Sequence, residues 1–386
     1  MENSTKRKIV FIGGALDHTN LPLCLKLYEY YKENFLFIAT EKQYEDRKAL
    51  NYSNNEISNK FVLDASESCK TKKIVDLCFN ADILIYGGIS KRKFIRKRLR
   101  SKKLTFKLTE RFFKNNKPYS LHSILGVFIH YYLFTQKNKY VLCMGGYTAN
   151  DLDKYNLFKH KRLTWGYFTD GSKLTFEELE KIKEHPINIL WVGRFIDVKQ
   201  PFSVIELGRF LLEKNVDFKI TMVGYGELLD KCKKAAADSG LEKYVDFTGA
   251  INLENKEKLM DFSNIFIFTS TFGEGWGAVV NEAMSSACLT IGTTLSGSSS
   301  ALITNNKNGY LYDPFNQEEL NELVLKSIQN YRSLSGLRKN GYDTIHDLWN
   351  IDVASDRLIQ VFESLLTGKD LPKYEEGPCS EALPIK

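Results

Sequence analysis

Apolar positions along this chain fall into short continuous runs separated by longer stretches in which they recur every three or four residues. The runs predict strands at 8–12, 35–39, 83–86, 104–108 and 140–144, and again at 187–192, 218–223, 245–247, 264–268 and 289–292. Helical patterns fill the intervals, beginning at 21–31, where Thr19 or Asn20 can cap the helix and Pro22 suits its first turn. Strands that alternate with helices pair in parallel, because the helix carries the chain back across the sheet. The two series predict two α/β domains, at 1–168 and 187–350, joined by a charged linker at 169–186. An amphipathic helix at 351–366, expected to cross back to the first domain, and a loose polar tail at 367–386 close the chain.

A length of 386 residues with 43% hydrophobic content is enough for two cores. Residues 1–7 are polar and lead straight into a strand, without the pattern of a signal or transit peptide. The longest apolar-rich segment, 123–134, is shorter than the ~20 residues a membrane span needs, so a cytoplasmic chain without a transmembrane helix is expected. Seven scattered cysteines form no Cys-x-x-Cys pair and no metal-ligand spacing with the six histidines; they read as reduced thiols and suggest no metal site. Gly13-Gly14 follow the first strand, but the full Gly-x-Gly-x-x-Gly fingerprint is missing, which argues against a nicotinamide enzyme. The net charge of +7 is concentrated in 91–103, where nine Lys and Arg residues interleave with Phe94, Ile95 and Leu99. Such a segment suits an anionic membrane surface, here the inner face of the plasma membrane, as well as it suits a solvated basic face; nucleic acid is weighed below both and is not expected as a partner.

The stretch 264–284 reads as a strand, a glycine-rich turn and a helix. Gly273, Gly275 and Gly277 leave alternate positions without side chains, so backbone N–H groups at a helix N-terminus can approach a phosphate. Were 274–282 wholly helical, Glu274 and Glu282 would lie roughly 12 Å apart, beyond the about 5 to 9.5 Å of a hydrolase's carboxylate pair. That spacing suits the two ends of one ligand, a sugar and a ribose. Arg194 and Lys199 follow the strand at 187–192, and two cations at the carboxyl edge of a sheet can neutralise a departing diphosphate. Asp151-Leu152-Asp153 is nominally a metal-binding triplet, but it starts a polar helical stretch and reads as surface or capping.

The turn Glu274-Gly275-Trp276-Gly277 followed by Glu282 resembles the Glu-x7-Glu signature of the retaining glycosyltransferases of family four, with Trp276 at the aromatic position. Four further motifs extend the resemblance: Trp191-Val192-Gly193-Arg194-Phe195 with Lys199, Val223-Gly224-Tyr225-Gly226-Glu227, Val245-Asp246-Phe247-Thr248-Gly249, and Asn308-Gly309-Tyr310-Leu311. It implies the GT-B fold, an α/β architecture of two Rossmann-like domains whose parallel sheets face a central cleft. It also implies metal-independent, retaining transfer of a hexose from a nucleotide diphosphate sugar, a co-substrate with no cofactor, to a saccharide or lipid-linked acceptor in surface polysaccharide assembly. By the same resemblance, Glu274 and the backbone of Gly275, Trp276, Gly277, Ala278 and Val279 meet the transferred sugar and diphosphate, with Arg194 and Lys199 stabilising the leaving group. Glu282 accepts from the ribose hydroxyls, Gly249 and Ala250 border the base, and Gly14 closes over the phosphate.

Many relatives carry a histidine motif in the first domain, and this chain has no clear counterpart. Glu110, at the end of a strand, and His18, beyond the first glycine loop, are candidates there; His122 and His130 sit on an apolar helical pattern and read as buried. A nucleotide-sugar 2-epimerase and a non-catalytic partner subunit of the same fold are alternatives. Turnover of donor without acceptor would mark the first, and failure to bind any nucleotide sugar the second.

Overall fold

The computed structural model describes residues 7–42, 60–66, 71–114, 119–131, 138–169, 171–183 and 186–385, the side chain of His130 apart. The chain divides into two units, Met1–Thr169 with Trp349–Lys386, and Asp170–Leu348.

Unit 1 contains β1 (Ile9–Gly13), β2 (Phe35–Ala39), β3 (Val62–Asp64), β4 (Ile83–Tyr86), β5 (Thr105–Thr109), β6 (Lys139–Met144) and β7 (Arg162–Trp165). They form one parallel sheet in the order β3-β2-β1-β4-β5-β6-β7. Its described helices are α1 (Leu21–Tyr31), α2 (Thr71–Asn80), α3 (Arg96–Leu99), α4 (Leu121–His130) and α5 (Gly146–Asp153). Unit 2 contains β8 (Ile187–Val192), β9 (Phe218–Val223), β10 (Val245–Gly249), β11 (Ile265–Phe268), β12 (Leu289–Thr293) and β13 (Tyr310–Tyr312), parallel in the order β10-β9-β8-β11-β12-β13. Around it lie α6 (Phe176–Ile182), α7 (Pro201–Glu213), α8 (Leu229–Asp238), α9 (Leu253–Phe262), α10 (Val279–Ser285), α11 (Gly297–Leu302), α12 (Gln317–Gln329) and α13 (Ser335–Asp343). The last helix, α14 (Ile351–Leu366), belongs to unit 1.

Central strands with both faces covered must be apolar throughout, which is why β1, β6, β11 and β12 are buried at every position and legible as continuous runs. The three strands absent from the sequence reading, β3, β7 and β13, are all edge strands of three or four residues with polar or half-buried positions. In each sheet the strand order reverses once, at β1/β4 and at β8/β11, and open α/β sheets hold ligands beyond the carboxyl ends of such a pair.

Three readings of the chain's organisation are corrected. The expected linker at 169–186 is mostly part of unit 2, because Phe176 and Leu179 of α6 pack with Ala287 into a local core and Thr175 and Glu178 close a capping box. The expected loose tail is packed: Thr164 N donates to Ser380 O at 2.8 Å, Cys379 N to Thr164 O at 2.8 Å and Ala382 N to Arg162 O at 3.0 Å, so the tail pairs antiparallel with β7 and covers that sheet edge. In 91–103, the apolar side chains Phe94, Ile95 and Leu99 are buried in the unit 1 core and are not available to a membrane. Arg98 is buried with them; its guanidinium donates to the carbonyls of Phe79 (3.0 Å), Ala81 (2.5 Å), Asp82 (3.1 Å) and Leu104 and to Thr105 Oγ1 (3.2 Å).

Arg98 thus donates to four carbonyls, of which Leu104 O also accepts from Leu84 N at 3.3 Å. Arg98→Met keeps most of the volume and removes every donor, and each buried acceptor left without one costs about 1–3 kcal/mol. The expected outcome is a loss of at least about 3 kcal/mol from unit 1, read from its transition in urea by circular dichroism.

Candidate functional site

At the β8/β11 switch point, β8 ends in Gly193-Arg194 and the chain turns through Asp197–Lys199 before α7 starts at Pro201, with Gln200 held at a left-handed φ of 48°. β11 ends in Thr269-Ser270-Thr271 and the glycine-rich turn. Trp191 Nε1 donates to Thr269 Oγ1 at 2.9 Å, and Thr269 Oγ1 donates to Lys199 O. Thr271 N donates to Val198 O at 2.9 Å, and a Cβ on Gly273 would lie 3.0 Å from the Val198 side chain. These contacts bring two loops about seventy-five residues apart in sequence into register. Lys199 Nζ there pairs with Glu274 Oε2, which also accepts from Ser270 Oγ at 3.2 Å. Both side chains of the pair are 16% exposed, so the site is partly desolvated and still reachable. Arg194 is exposed on the same loop, and Gly249 (φ 72°) and Ala250 end β10 two strands away.

The glycines of this unit serve close backbone approach. A Cβ on Gly224 would fall 1.8 Å from Gly193 O, and one on Gly226 2.5 Å from Phe195 O, so the loop after β9 lies directly on the loop after β8. In the signature turn, Gly277 (φ 91°) makes room for Phe268. Trp276, expected to meet the ligand through its backbone, has a fully buried side chain whose Nε1 donates to Asn281 Oδ1 at 2.8 Å. Gly275 is buried, whereas Gly277, Ala278 and Val279 are half-buried at the start of α10.

Glu282, expected at the ribose, is on α10 and buried against Lys256 of α9. Lys256 Nζ lies 2.8 Å from each carboxylate oxygen, with hydrogen-bond geometry only to Oε1. Sequence reasoning missed Lys256. The signal was present: a lysine four residues before Met260 on the buried stripe of an otherwise polar helix.

In unit 1, a cavity of 410 Å³ opens at the β1/β4 switch point, lined by Gly14, Glu41, Gly88, Glu110 and Arg111 among others. A Cβ on Gly14 would sit 3.2 Å from Gly88 O and 3.4 Å from Glu41 Oε2, so a side chain here would press on the wall of the cavity. Glu110 pairs with Lys114 at 3.0 Å and accepts from Tyr167 Oη at 3.3 Å. His18 is half-buried and is not among the lining residues. His122 is exposed, against the expectation that it is buried. Asp151 is not a surface residue: burial pushes its carboxyl up, opposed by the amides of Phe113 and Phe112, to which it accepts at 3.1 and 3.0 Å, and by Arg111. Asp153 pairs with Arg162 at 3.0 Å. Among the described residues no group of His, Cys, Asp and Glu is arranged to hold a metal ion, and no helix is long and apolar enough to cross a membrane.

Residues 173–344, nearly all of unit 2, match the family Glycosyl transferases group 1. Unit 2 is a group 1 glycosyltransferase domain, and the chain has the GT-B fold. The chain is 27% identical over 196 residues to an uncharacterized glycosyltransferase of Methanocaldococcus jannaschii, covering 49% of each chain, and 25% identical over 223 residues to the amylovoran biosynthesis glycosyltransferase AmsK of Erwinia amylovora, covering 54% of each. It therefore spans about half the length of the curated relatives it matches. Across both units it is similar in fold to Anabaena HepE solved with UDP, at a TM-score of 0.71 and 14% identity over 92% of this chain and 100% of that one.

The buried pair in the group 1 domain makes a two-part prediction. Lys256→Met leaves Glu282 buried without its counter-ion, which typically costs about 3–5 kcal/mol. The double change Lys256→Met with Glu282→Leu removes both charges and should restore most of that loss, as measured by thermal unfolding of each variant.

Proposed function

We propose that this chain transfers a hexose, with retention of configuration, from a nucleotide diphosphate sugar to a saccharide or lipid-linked acceptor, in the assembly of a polysaccharide. The observation that carries the reading is the convergence of Lys199, Glu274 and the exposed Arg194 at the switch point of the group 1 domain. The fold is shared with a protein solved in complex with UDP, and one curated relative is an amylovoran biosynthesis glycosyltransferase, which supports donor class and pathway type.

In this reading the bond from the sugar to the diphosphate breaks while a bond to an acceptor oxygen forms, and negative charge grows on the leaving diphosphate. Lys199 and Arg194 answer that charge, in a partly dry site where fixed cations act strongly without reorganising. Glu274, released from Lys199, turns to the hydroxyls of the transferred sugar. The half-buried start of α10 at Gly277, Ala278 and Val279 borders the diphosphate, Gly249 and Ala250 border the base, and Glu282, oriented by Lys256, receives the ribose. The acceptor is assigned to the unit 1 cavity, where the Glu110 carboxylate and the cavity wall at Gly14 suit sugar hydroxyls.

The test has two stages. Thermal shift of the chain against a panel of nucleotide sugars should single out one donor that raises the melting temperature by mass action. With that donor, Lys199→Ala and Arg194→Ala should each lower turnover by roughly 10² or more, the usual size of a lost charge-stabilising group. Near-normal turnover in both variants, or no nucleotide sugar that stabilises the chain, contradicts the proposal.

A further inference from the structure

Unit 1 carries a surface that the transfer chemistry does not use. Helix α4 is capped by Ser120, whose Oγ accepts from Ser123 N at 3.2 Å, and it is anchored by Val127, buried in a cluster with Phe113, Tyr131 and Val141. Its remaining apolar side chains face outward. Leu121 is 82% exposed, Leu125 54%, Phe128 48%, and Ile124 and Ile129 43% each, with Tyr119 at 67% just ahead of the helix. These six, within eleven residues, make up nearly half of the large apolar side chains exposed among the described residues. A contiguous apolar face of this kind marks an interaction surface, unlike single exposed side chains scattered over a protein.

The charge around it identifies the partner. Residues 83–150 hold fifteen Lys and Arg, of which Arg98, Arg111 and Lys139 are buried, and a single acidic residue, Glu110, in a chain whose net charge is only +7. Arg92 and Lys114, both exposed, line a cavity of 620 Å³ along α4 together with Leu125 and Ile129. Arg96, Lys97 and Arg100 are exposed as well, although the apolar residues beside them are buried. Anionic charge and a hydrocarbon boundary are both needed to satisfy such a face. A second copy would bring like charge against like, and a nucleic acid offers an apolar helix face nothing to bury it.

We propose that α4 docks this chain on an anionic lipid bilayer, with Leu121, Ile124 and Leu125 entering the headgroup boundary and Arg92 against lipid phosphates. The inference is independent of the reaction assigned above. It replaces the sequence expectation that 91–103 supplies both the charge and the apolar anchors: the cations stay in the role, and the anchors move to α4.

The full chain is tested by co-sedimentation with vesicles of phosphatidylcholine alone and of phosphatidylcholine mixed with phosphatidylglycerol. Partition onto the anionic vesicles should exceed that onto neutral ones by at least about tenfold and weaken with added salt. Leu121→Ser with Leu125→Ser, both exposed, should cut it by at least about tenfold at an unchanged melting temperature. Absence of vesicle binding, or equal binding by the serine variant, overturns the proposal. Self-association abolished by the serine changes without vesicle binding would assign the face to a second copy, and duplex DNA that displaces the vesicles and binds the serine variant equally would assign it to a polyanion; either result also overturns it.

Discussion

The pairing of Lys199 with Glu274 is the interaction on which the proposed use of unit 2 depends. Neither charge is well placed alone: both side chains are largely withdrawn from water, and an isolated partly buried ion is costly. Each is held where the other needs it by contacts that have nothing to do with charge. Trp191 and Thr269 fix the backbone of Lys199, while Thr271 and Gly273 close on Val198. The pair is therefore a consequence of how β8 and β11 end side by side, and its use follows from what a diphosphate would do to it. In the proposed reaction a diphosphate would compete with Glu274 for Lys199 and free the carboxylate for the neutral hydroxyls beyond.

Much of this was legible in the sequence, for a reason that also sets the limits. Buried parallel strands must be apolar throughout, so β1, β2, β4 and β8 announced themselves as continuous runs, and the loops that follow them carried Gly14, Arg194 and Lys199 in plain view. Edge strands obey no such rule, and β3, β7 and β13 passed as loops. Lys256 was overlooked because sequence spacing treats lysine as a surface residue, whereas here Glu282 gives it a reason to be buried. Trp276 was expected to act through its backbone alone, and the structure gives its side chain a use the motif did not reveal, as core beneath the turn.

The same exchange of roles recurs in unit 1. The basic segment 91–103 resembled an amphipathic membrane element, but Arg98 and its apolar neighbours are needed inside, where the guanidinium gathers the carbonyls of Phe79, Ala81, Asp82 and Leu104. Periodicity alone could not tell an apolar stripe that faces a core from one that faces outward, and His122 on α4 read as buried although it is exposed. The tail was misread for want of a partner: a polar sequence can still pair its backbone with an open edge such as β7.

The central claim, that Lys199 is shared between Glu274 and a nucleotide's diphosphate, is tested most directly by calorimetric titration of UDP into the wild-type chain, Lys199→Ala and Glu274→Gln. If the two acidic groups compete for one lysine, Lys199→Ala weakens UDP binding and Glu274→Gln strengthens it, each by about tenfold or more. Weaker binding in Glu274→Gln, or affinities unchanged in both variants, would contradict the account.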